Sequence, residues 1–338
     1  MTSEISLQKR VCVTGADGFI GSHLVEALVA AGADVTALAQ YNASGSNGWL
    51  DELPDETLEN VTIQRSDIRD PGAMNQLVKD QEIVFHLAAL IAIPYSYSAP
   101  QSYIDVNVTG TLNIMEASRR HGVSRVIQTS TSEVYGTAQT HPISEEHPLQ
   151  AQSPYAASKI ASDMVAQSYA RSFDVPVVIL RPFNTYGPRQ SERAVIPTVI
   201  RQALDPECEA IRIGDTTPKR DFCFVQDTVR AFVLAGENNE LQFGSPYNAG
   251  TGRMESIGDM IEIVRRLSGS NKPVETDPNR MRPRNSEVFE LIADASKLGA
   301  ATDWSPEFDL EAGLSSTISW WKDRLEQGDI RRDGGYLV

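Results

Sequence analysis

The chain has 338 residues, of which 41% are hydrophobic and 22% charged, a balance typical of folded globular proteins rather than disordered ones. A formal net charge of -15 argues against nucleic acid or an anionic membrane surface as the partner. The N-terminus has no apolar core of signal-peptide type, and the three cysteines lie far apart, which favours reduced thiols and a cytoplasmic location.

Up to about residue 180, short β-branched runs alternate with helical stretches. Strands are predicted for R-V-C-V-T-G, A-D-V-T-A-L, I-V-F-H-L-A-A, R-V-I-Q-T-S-T-S and V-P-V-V-I-L-R-P. Helices are predicted for S-H-L-V-E-A-L-V-A-A-G, around V-T-G-T-L-N-I-M-E-A-S-R-R-H-G, and from Pro154 to Phe173. This alternation predicts right-handed βαβ units and a Rossmann-like, doubly wound parallel sheet of the α/β class.

Beyond Arg181, prolines and glycines become frequent. This change predicts a dinucleotide-binding domain over residues 1–180, a smaller α/β substrate domain over 181–327, and a tail over 328–338. Strands near 222–250 are expected to return to the first domain. Basic residues gather in this half, which favours a positive pocket for an anionic substrate, with scattered solvated charges as the alternative. They are Arg189, Arg193, Lys219, Arg220, Arg280, Arg282 and Arg284.

Three glycines lie between the first strand and the first helix, in V-T-G-A-D-G-F-I-G. Gly15 permits a tight turn, Gly18 lets the backbone approach a pyrophosphate, and Gly21 allows the helix to pack closely on the sheet. The start of the helix offers free N–H groups and a partial positive charge to the phosphates. This context predicts a dinucleotide site, with a glycine-rich turn that binds nothing as the alternative.

The acid that usually ends the second strand and binds the adenosine ribose is missing, because its position is Ala39, followed by Gln40. No basic residue follows nearby to hold a 2′-phosphate, which favours NAD and leaves NADP open. Asp67 and Ile68, in S-D-I-R-D, resemble an adenine-edge contact, with an aspartate that caps the following turn as the alternative.

Tyr155 and Lys159 are four residues apart on the helix that begins at Pro154, so their side chains share one face. A phenol needs a nearby ammonium and a cationic nicotinamide to act as a base at neutral pH. Thr131, in T-S-T-S-E-V-Y-G, adds a hydroxyl that can hold the substrate oxygen. Together these residues predict hydride chemistry, for which the carboxylate of Glu133 is not obviously needed.

From Lys9 to about Trp321 the chain resembles the extended short-chain dehydrogenases that act on nucleotide-activated sugars. The resemblance is carried by T-G-A-D-G-F-I-G, H-L-A-A, N-V-T-G-T-L-N, T-S-E-V-Y-G, Y-A-A-S-K, R-P-F-N-T-Y-G-P-R, R-D-F and N-A-G. Within that family, L-I-A-I-P-Y-S-Y and the segment from R-P-F-N to A-V-I-P-T are most similar to NAD-dependent 4,6-dehydratases of the legionaminate-pathway type, which act on nucleotide-linked N-acetylglucosamine.

The resemblance implies a reaction that uses Glu133. Tyr155 takes the proton of the 4-hydroxyl as hydride leaves C4, and Glu133 removes the C5 proton that the new ketone makes acidic. Water leaves from C6 and the hydride returns there, giving a 4-keto-6-deoxy sugar. Related glucose dehydratases have an aspartate where this chain has Ser132, so Ser132, Glu133 and a water all stay open as the proton donor to the C6 hydroxyl.

The resemblance also implies contacts and an assembly. Cofactor contacts beyond the glycines, Tyr155 and Lys159 fall at Phe19, Ile20, Gln40, Asp67, Ile68, Leu87, Ala88, Ala89 and Asn107. Substrate contacts fall at Ser96, Asn184, Arg189, Val195, Ile196, Lys219, Arg220 and Arg282. Arginine suits a diphosphate because its planar fork binds phosphate oxygens in pairs. A homodimer through the helices near 105–120 and 155–172 is expected.

Three other functions compete with the dehydratase. UDP-glucuronate decarboxylases also show Thr-Ser-Glu, although A-L-I-A-I-P-Y-S-Y lacks their proline pattern. A 4-epimerase needs Tyr155 but no acid at position 133, and a dinucleotide-sensing binding module is the non-enzymatic alternative on this fold. The five histidines have no metal-ligand spacing, so no metal site is predicted.

Overall fold

The computed structural model of the protein describes residues 6–281, 283 and 286–328. Its strands are β1 (Arg10–Thr14), β2 (Asp34–Gln40), β3 (Val61–Ser66), β4 (Ile83–His86), β5 (Arg125–Thr129), β6 (Val177–Pro182), β7 (Asn184–Tyr186), β8 (Ile211–Ile213), β9 (Lys219–Arg220), β10 (Phe222–Phe224), β11 (Pro246–Ala249), β12 (Glu255–Ser256) and β13 (Val274–Thr276).

The α-helices are α1 (Phe19–Ala30), α2 (Asp55–Leu58), α3 (Pro71–Val78), α4 (Ile93–Ser98), α5 (Pro100–Tyr103), α6 (Gly110–His121), α7 (Pro154–Phe173), α8 (Val195–Leu204), α9 (Val225–Glu237), α10 (Ile257–Ser268), α11 (Ser296–Thr302) and α12 (Leu310–Gln327). A π-helical segment, Ile104–Thr109, leads directly into α6. Short 3₁₀ turns occupy Gly48–Glu52, Ser132–Tyr135 and Pro278–Arg280.

Seven parallel strands form the central sheet, in the spatial order β11-β6-β5-β4-β1-β2-β3. The predicted Rossmann-like α/β fold is therefore confirmed. The strand order reverses between β1 and β4, and ligands of such sheets bind in the crevice beyond the carboxyl ends at that point.

Helices cover both faces of the sheet. On one face α3, α6 and α7 pack in succession, and on the other α1 packs against α9. β4 and β6 are consequently buried along their whole length. Burial on both faces explains why these strands are continuous apolar runs rather than alternating ones.

Two predicted strands end earlier than their sequence patterns. β4 stops at His86, and the N–H groups of Leu87 and Ala88 each donate to Thr14 Oγ1 at 3.1 Å. β5 stops at Thr129, because Thr131 Oγ1 accepts from the backbone N of Glu133 at 3.2 Å and opens a 3₁₀ turn. Local hydrogen bonding by threonine side chains competes here with the strand ladder.

The second half of the chain is built from smaller pieces. β7 pairs with β10 and β8 with β13, both in parallel, while β9 pairs with β12 in antiparallel fashion. Helices α8, α10 and α12 pack together beside these strands. β11 and α9 belong to the main sheet and its cover, so the chain crosses between the two halves more than once.

Candidate active site

The glycine turn is packed too tightly for side chains. Gly15 has φ +68°, and a Cβ there would lie 2.7 Å from the backbone N of Ala88. A Cβ on Gly21 would lie 2.0 Å from the carbonyl oxygen of Gly15. The first turn of α1 begins after Gly18 without a side-chain cap, so its N–H groups can meet phosphate oxygens. This cradle fits a dinucleotide pyrophosphate.

Other predicted cofactor residues gather at the same edge. Phe19 and Ile20 form the first turn of α1, and Leu87, Ala88 and Ala89 follow β4. The hydrogen bonds to the Thr14 hydroxyl join the ends of β1 and β4, so the two loops face the crevice where the strand order reverses.

A carboxylate missed in the sequence lies where the ribose acid was expected. Asp17 Oδ2 accepts a hydrogen bond from the backbone N of Gln40 at 3.1 Å, at the end of β2. Burial raises the pKa of Asp17, and the hydrogen bond from Gln40 acts in the opposite direction. An acid inside the glycine turn was the available signal, because that turn faces the end of the second strand.

The two residues predicted to contact the adenine edge, Asp67 and Ile68, have different surroundings. The Asp67 carboxylate accepts hydrogen bonds from the backbone N and the guanidinium of Arg69, both at 2.9 Å from Oδ1. Asp67 thus caps the turn that follows it, as the alternative expected, and Asp70 caps α3. Ile68 is buried against the start of α6, where a Cβ on Gly110 would come within 2.8 Å of its side chain.

Tyr155, Lys159 and Thr131 meet at the carboxyl end of β5. Lys159 Nζ donates to the carbonyl oxygen of Thr129 at 2.6 Å, and the Thr131 hydroxyl lies near enough to the Tyr155 phenol to lower its pKa. Tyr155 and Lys159 are only 7% and 4% exposed. The helical spacing of the pair turns one face of α7 toward the strand end.

Burial works against the charges that hydride chemistry needs. It raises the pKa of the Tyr155 phenol above its ordinary value, and the nearby Thr131 hydroxyl offsets this in part. It lowers the pKa of Lys159 to about 8, while the Asp163 carboxylate acts in the opposite direction. The protein alone therefore keeps the phenol protonated, and a cationic group beside it would favour the phenolate.

Asn107 lies in the π-helical segment and joins three elements. Its Oδ1 accepts from the backbone N of Leu90 at 2.8 Å, and its Nδ2 donates to Ser158 Oγ at 2.9 Å. Its carbonyl oxygen accepts from the hydroxyls of Thr111 and Ser162. Irregular π-helical turns often occur at functional sites, and this one aims the Asn107 side chain between the loop after β4 and α7.

A cavity of about 270 Å³ opens beside the 3₁₀ turn that follows β5. Glu133 lines it, whereas Ser132 is 3% exposed and does not. Four of the predicted substrate residues also line it, namely Asn184, Val195, Ile196 and Arg220.

The remaining predicted substrate residues are not brought into this cavity. Ser96 is buried within α4. Arg189 pairs with Glu26 of α1, with Nη1 and Oε2 2.6 Å apart, which draws its guanidinium toward the cofactor side. Lys219 forms a partly exposed ion pair with a neighbouring glutamate at 3.4 Å. Arg282 lies outside the described residues.

Two arginines that were noted only for their charge do line the cavity. Arg193 precedes α8, and Arg280 belongs to the 3₁₀ turn after β13. They converge with Arg220, whose guanidinium pairs with Glu287 at 2.8 Å. The sequence showed the local excess of arginine, but the convergence of three distant segments depends on the fold.

The described residues, with their gaps at 282 and 284–285, contain no helix long and apolar enough to cross a membrane. In that same part of the chain, His, Cys, Asp and Glu form no group of three or more that could hold a metal ion.

Comparison with known proteins gives a family and three different reactions. Residues 12–317 match the family model described as GDP-mannose 4,6 dehydratase. The chain is 32% identical to a UDP-glucose 4-epimerase of Mycolicibacterium smegmatis, covering 94% of this chain and 100% of that protein. It is 33% identical to a UDP-N-acetyl-alpha-D-glucosaminuronate decarboxylase of Bacillus cytotoxicus, covering 94% and 99%. The structure of a dTDP-glucose 4,6-dehydratase from Streptomyces venezuelae with NAD bound superposes with a TM-score of 0.84, at 28% identity, covering 94% and 98%.

Proposed function

The chain belongs to the GDP-mannose 4,6-dehydratase family of extended short-chain dehydrogenases, and on that premise we propose that it is an NAD-dependent nucleotide-sugar 4,6-dehydratase. Its substrate is a nucleotide-linked N-acetylglucosamine or glucose, and its product the 4-keto-6-deoxy sugar. The proposal is carried by Glu133, whose carboxylate lines the cavity and is close enough to Tyr155 to act on it electrostatically. Oxidation or epimerisation at C4 has no use for that acid, whereas elimination requires one.

The first chemical step falls to three residues at the end of β5 and on α7. Tyr155 accepts the proton of the sugar 4-hydroxyl, Thr131 holds that oxygen by its own hydroxyl, and the Lys159 ammonium favours the phenolate. NAD, when bound in the glycine cradle, supplies the hydride acceptor for C4 and the hydride donor for C6. The Asp17 carboxylate at the end of β2 would repel a 2′-phosphate, which supports NAD over NADP.

Glu133 then performs the elimination. The new C4 ketone acidifies the C5–H bond, and the Glu133 carboxylate removes that proton as the C5–C6 double bond forms and the C6 hydroxyl leaves. We assign to the same carboxyl the protonation of the departing hydroxyl, because Ser132 is buried and does not line the cavity. The C5 proton thus leaves within the water, and hydride at C6 with a solvent proton at C5 completes the product.

The diphosphate is assigned to the arginine side of the cavity. Arg193, Arg220 and Arg280 all line it, together with the amide of Asn184. Charge-assisted hydrogen bonds from arginine to phosphate are stronger than neutral ones, and several donors hold the sugar in register with Tyr155.

Mass spectrometry of products formed in deuterated water tests this function. The protein with its bound cofactor is incubated with a panel of nucleotide sugars that carry UDP, GDP, dTDP and CDP. A product that has lost one water and gained deuterium at C5 is the expected result. Loss of carbon dioxide from a uronate would identify a decarboxylase and an isobaric product a 4-epimerase, and either would overturn the proposal.

We further propose that the protein is a homodimer. The outer surfaces of α6 and α7 carry apolar side chains, with Leu112 43%, Met164 43% and Phe173 52% exposed. Burial of these side chains against a second copy would remove apolar surface from water. Light scattering coupled to size-exclusion chromatography is expected to give twice the chain mass, and a monomer would contradict the proposal.

A further inference from the structure

The end of β5 is joined to α7 at three successive residues. Thr129 accepts from Lys159, and the Thr131 hydroxyl lies near enough to the Tyr155 phenol to lower its pKa. Between them, Ser130 Oγ donates to Asp163 Oδ2 at 2.7 Å. Positions 155, 159 and 163 are four residues apart, so the three contacts fall on one face of α7. The middle contact uses a residue to which the proposed reaction assigns no part.

Asp163 forms an ion pair with a second buried charged residue. Arg181 of β6 donates to Asp163 Oδ2 at 3.0 Å, and the two side chains are 2% and 0% exposed. Arg181 in turn donates to the Tyr135 hydroxyl at 2.9 Å, and Tyr135 donates to Asn248 Oδ1 at 2.6 Å. Among the described residues, nothing donates to Asp163 Oδ1, so the hydrogen bonds from Ser130 and Arg181 all fall on Oδ2.

Stability alone gives little reason for this buried pair. Removing two charges from water costs several kcal/mol per ion, and well-packed apolar residues often replace such pairs without loss of stability. A buried carboxylate on the turn that follows Lys159 does have a consequence for the active site. It places a negative charge near an ammonium that burial would otherwise tend to neutralise.

We propose that Asp163 is a positioning residue for the C4 oxidation. Through Ser130 it holds the strand end against α7, so that Thr131 and Lys159 keep their places beside Tyr155. Its negative charge also keeps Lys159 protonated in the working enzyme, and Arg181 keeps the carboxylate oriented. The inference rests on the proposed function, but only on the oxidation at C4, which dehydratases, epimerases and decarboxylases of this fold share.

The charged and titratable groups around Lys159 define what loss of the Asp163 charge would change. Asp163 and Tyr155 lie on the same helix, Arg181 approaches from β6, and Glu133 follows β5. His86 at the end of β4 is fully buried, and burial lowers its pKa to about 3, so it stays neutral above pH 5. Among these groups, the charge of Asp163 favours the ammonium form of Lys159.

The Asp163→Asn variant tests the proposal because it keeps the shape and a carbonyl acceptor while removing the charge. C4 oxidation is measured as formation of reduced nicotinamide in a single turnover, across pH. We expect the rate to fall about 10- to 100-fold, with KM changed by less than about 3-fold. Both limbs of the pH profile should move to lower pH, because the Asp163 charge raises the pKa of the Tyr155 phenol, which gives the rising limb, and the pKa of Lys159, which gives the falling limb.

Asp227→Asn is the matched control. Asp227 is equally buried and paired with an arginine at 3.0 Å, but it lies on α9 and accepts from the backbone of residues 307 and 308. This variant should lose stability and keep both pH limbs. If Asp163→Asn loses stability to a similar extent and its pH limbs stay at wild-type positions, Asp163 is structural only and the proposal is overturned.

Two further measurements test the proposal if Asp163→Asn does not fold or if no substrate is oxidised. Should Asp163→Asn fail to fold, Ser130→Ala removes the middle contact alone, and oxidation at the wild-type rate would refute the positioning role. If no nucleotide sugar is oxidised, the proposed function fails. The titration of Tyr155 is then followed by the tyrosinate absorbance of the protein with NAD, and the absorbance of Tyr155→Phe is subtracted to remove the contribution of the other tyrosines. A Tyr155 titration midpoint equal in wild type and Asp163→Asn would then reject the role of the charge.

Discussion

The two halves of the molecule are built in different ways. Around the cofactor crevice, seven parallel strands and their helices bury whole strands, and the predicted contacts gather at one edge of one sheet. Around the substrate cavity, the lining comes from short strands, turns and the start of α8, and its arginines lie in three separate segments.

The difference fits the proposed division of cofactor binding and substrate binding between the two halves. A dinucleotide is held mainly by backbone groups and close packing, which a regular βαβ unit provides by itself. A particular sugar nucleotide is held by side chains from loops, which can change without altering the sheet. Substitutions should therefore separate the halves, damaging cofactor retention and folding in one and substrate affinity in the other. The end of β5 belongs to both.

The largest effect is expected where the halves meet. Glu133→Gln should lower formation of the 4-keto-6-deoxy product by about 1,000-fold, because the amide can neither remove the C5 proton nor deliver it to the leaving hydroxyl. NAD content should be unchanged, and reduced nicotinamide should accumulate because oxidation at C4 continues. Product is measured by mass spectrometry. Glu146→Gln, the same change at an exposed residue, is the control, and full product formation by Glu133→Gln would refute the role.

In the cofactor half, Gly15→Ala should weaken NAD binding by about 100-fold, because the added Cβ would push on the backbone of Ala88 and deform the cradle. The matched control is Gly269→Ala, since Gly269 has φ +74° and nothing within 4 Å of an added Cβ. That variant should lose about 1 kcal/mol of stability and retain NAD. Calorimetric titration with NAD measures the affinity and thermal unfolding measures the stability. Equal NAD affinities of the two variants would contradict the prediction.

In the substrate half, Arg193→Ala should raise KM by about 10-fold and change kcat little, because it removes a charged donor that binds the diphosphate in ground and transition states alike. NAD content and thermal stability should stay at wild-type values. Arg212→Ala, at an exposed ion pair on β8, should leave all three unchanged. A fall in kcat without a rise in KM would place Arg193 in the chemistry instead.

Particular residues show which features of the fold and the site were predictable from the sequence. The glycine turn, the helix from Pro154 to Phe173 and the Tyr155–Lys159 face were predictable, because strand and helix periodicity act over a few residues. Asp17 was missed, because its contact with Gln40 joins two βα loops. Arg189 was assigned to the substrate, but its contact with Glu26 depends on how α1 lies against the segment before α8.

The sequence by itself determined the fold class and the chemistry on offer, because hydrophobic periodicity, glycine geometry and side-chain type are local properties. Only the tertiary structure decided which arginines line the cavity, that Glu133 rather than Ser132 faces it, and that Asp163 is paired with Ser130 and Arg181 on the helix of Tyr155 and Lys159. Those outcomes depend on packing between segments far apart in the chain, where burial, charge and a few ångströms of position decide what a side chain can do.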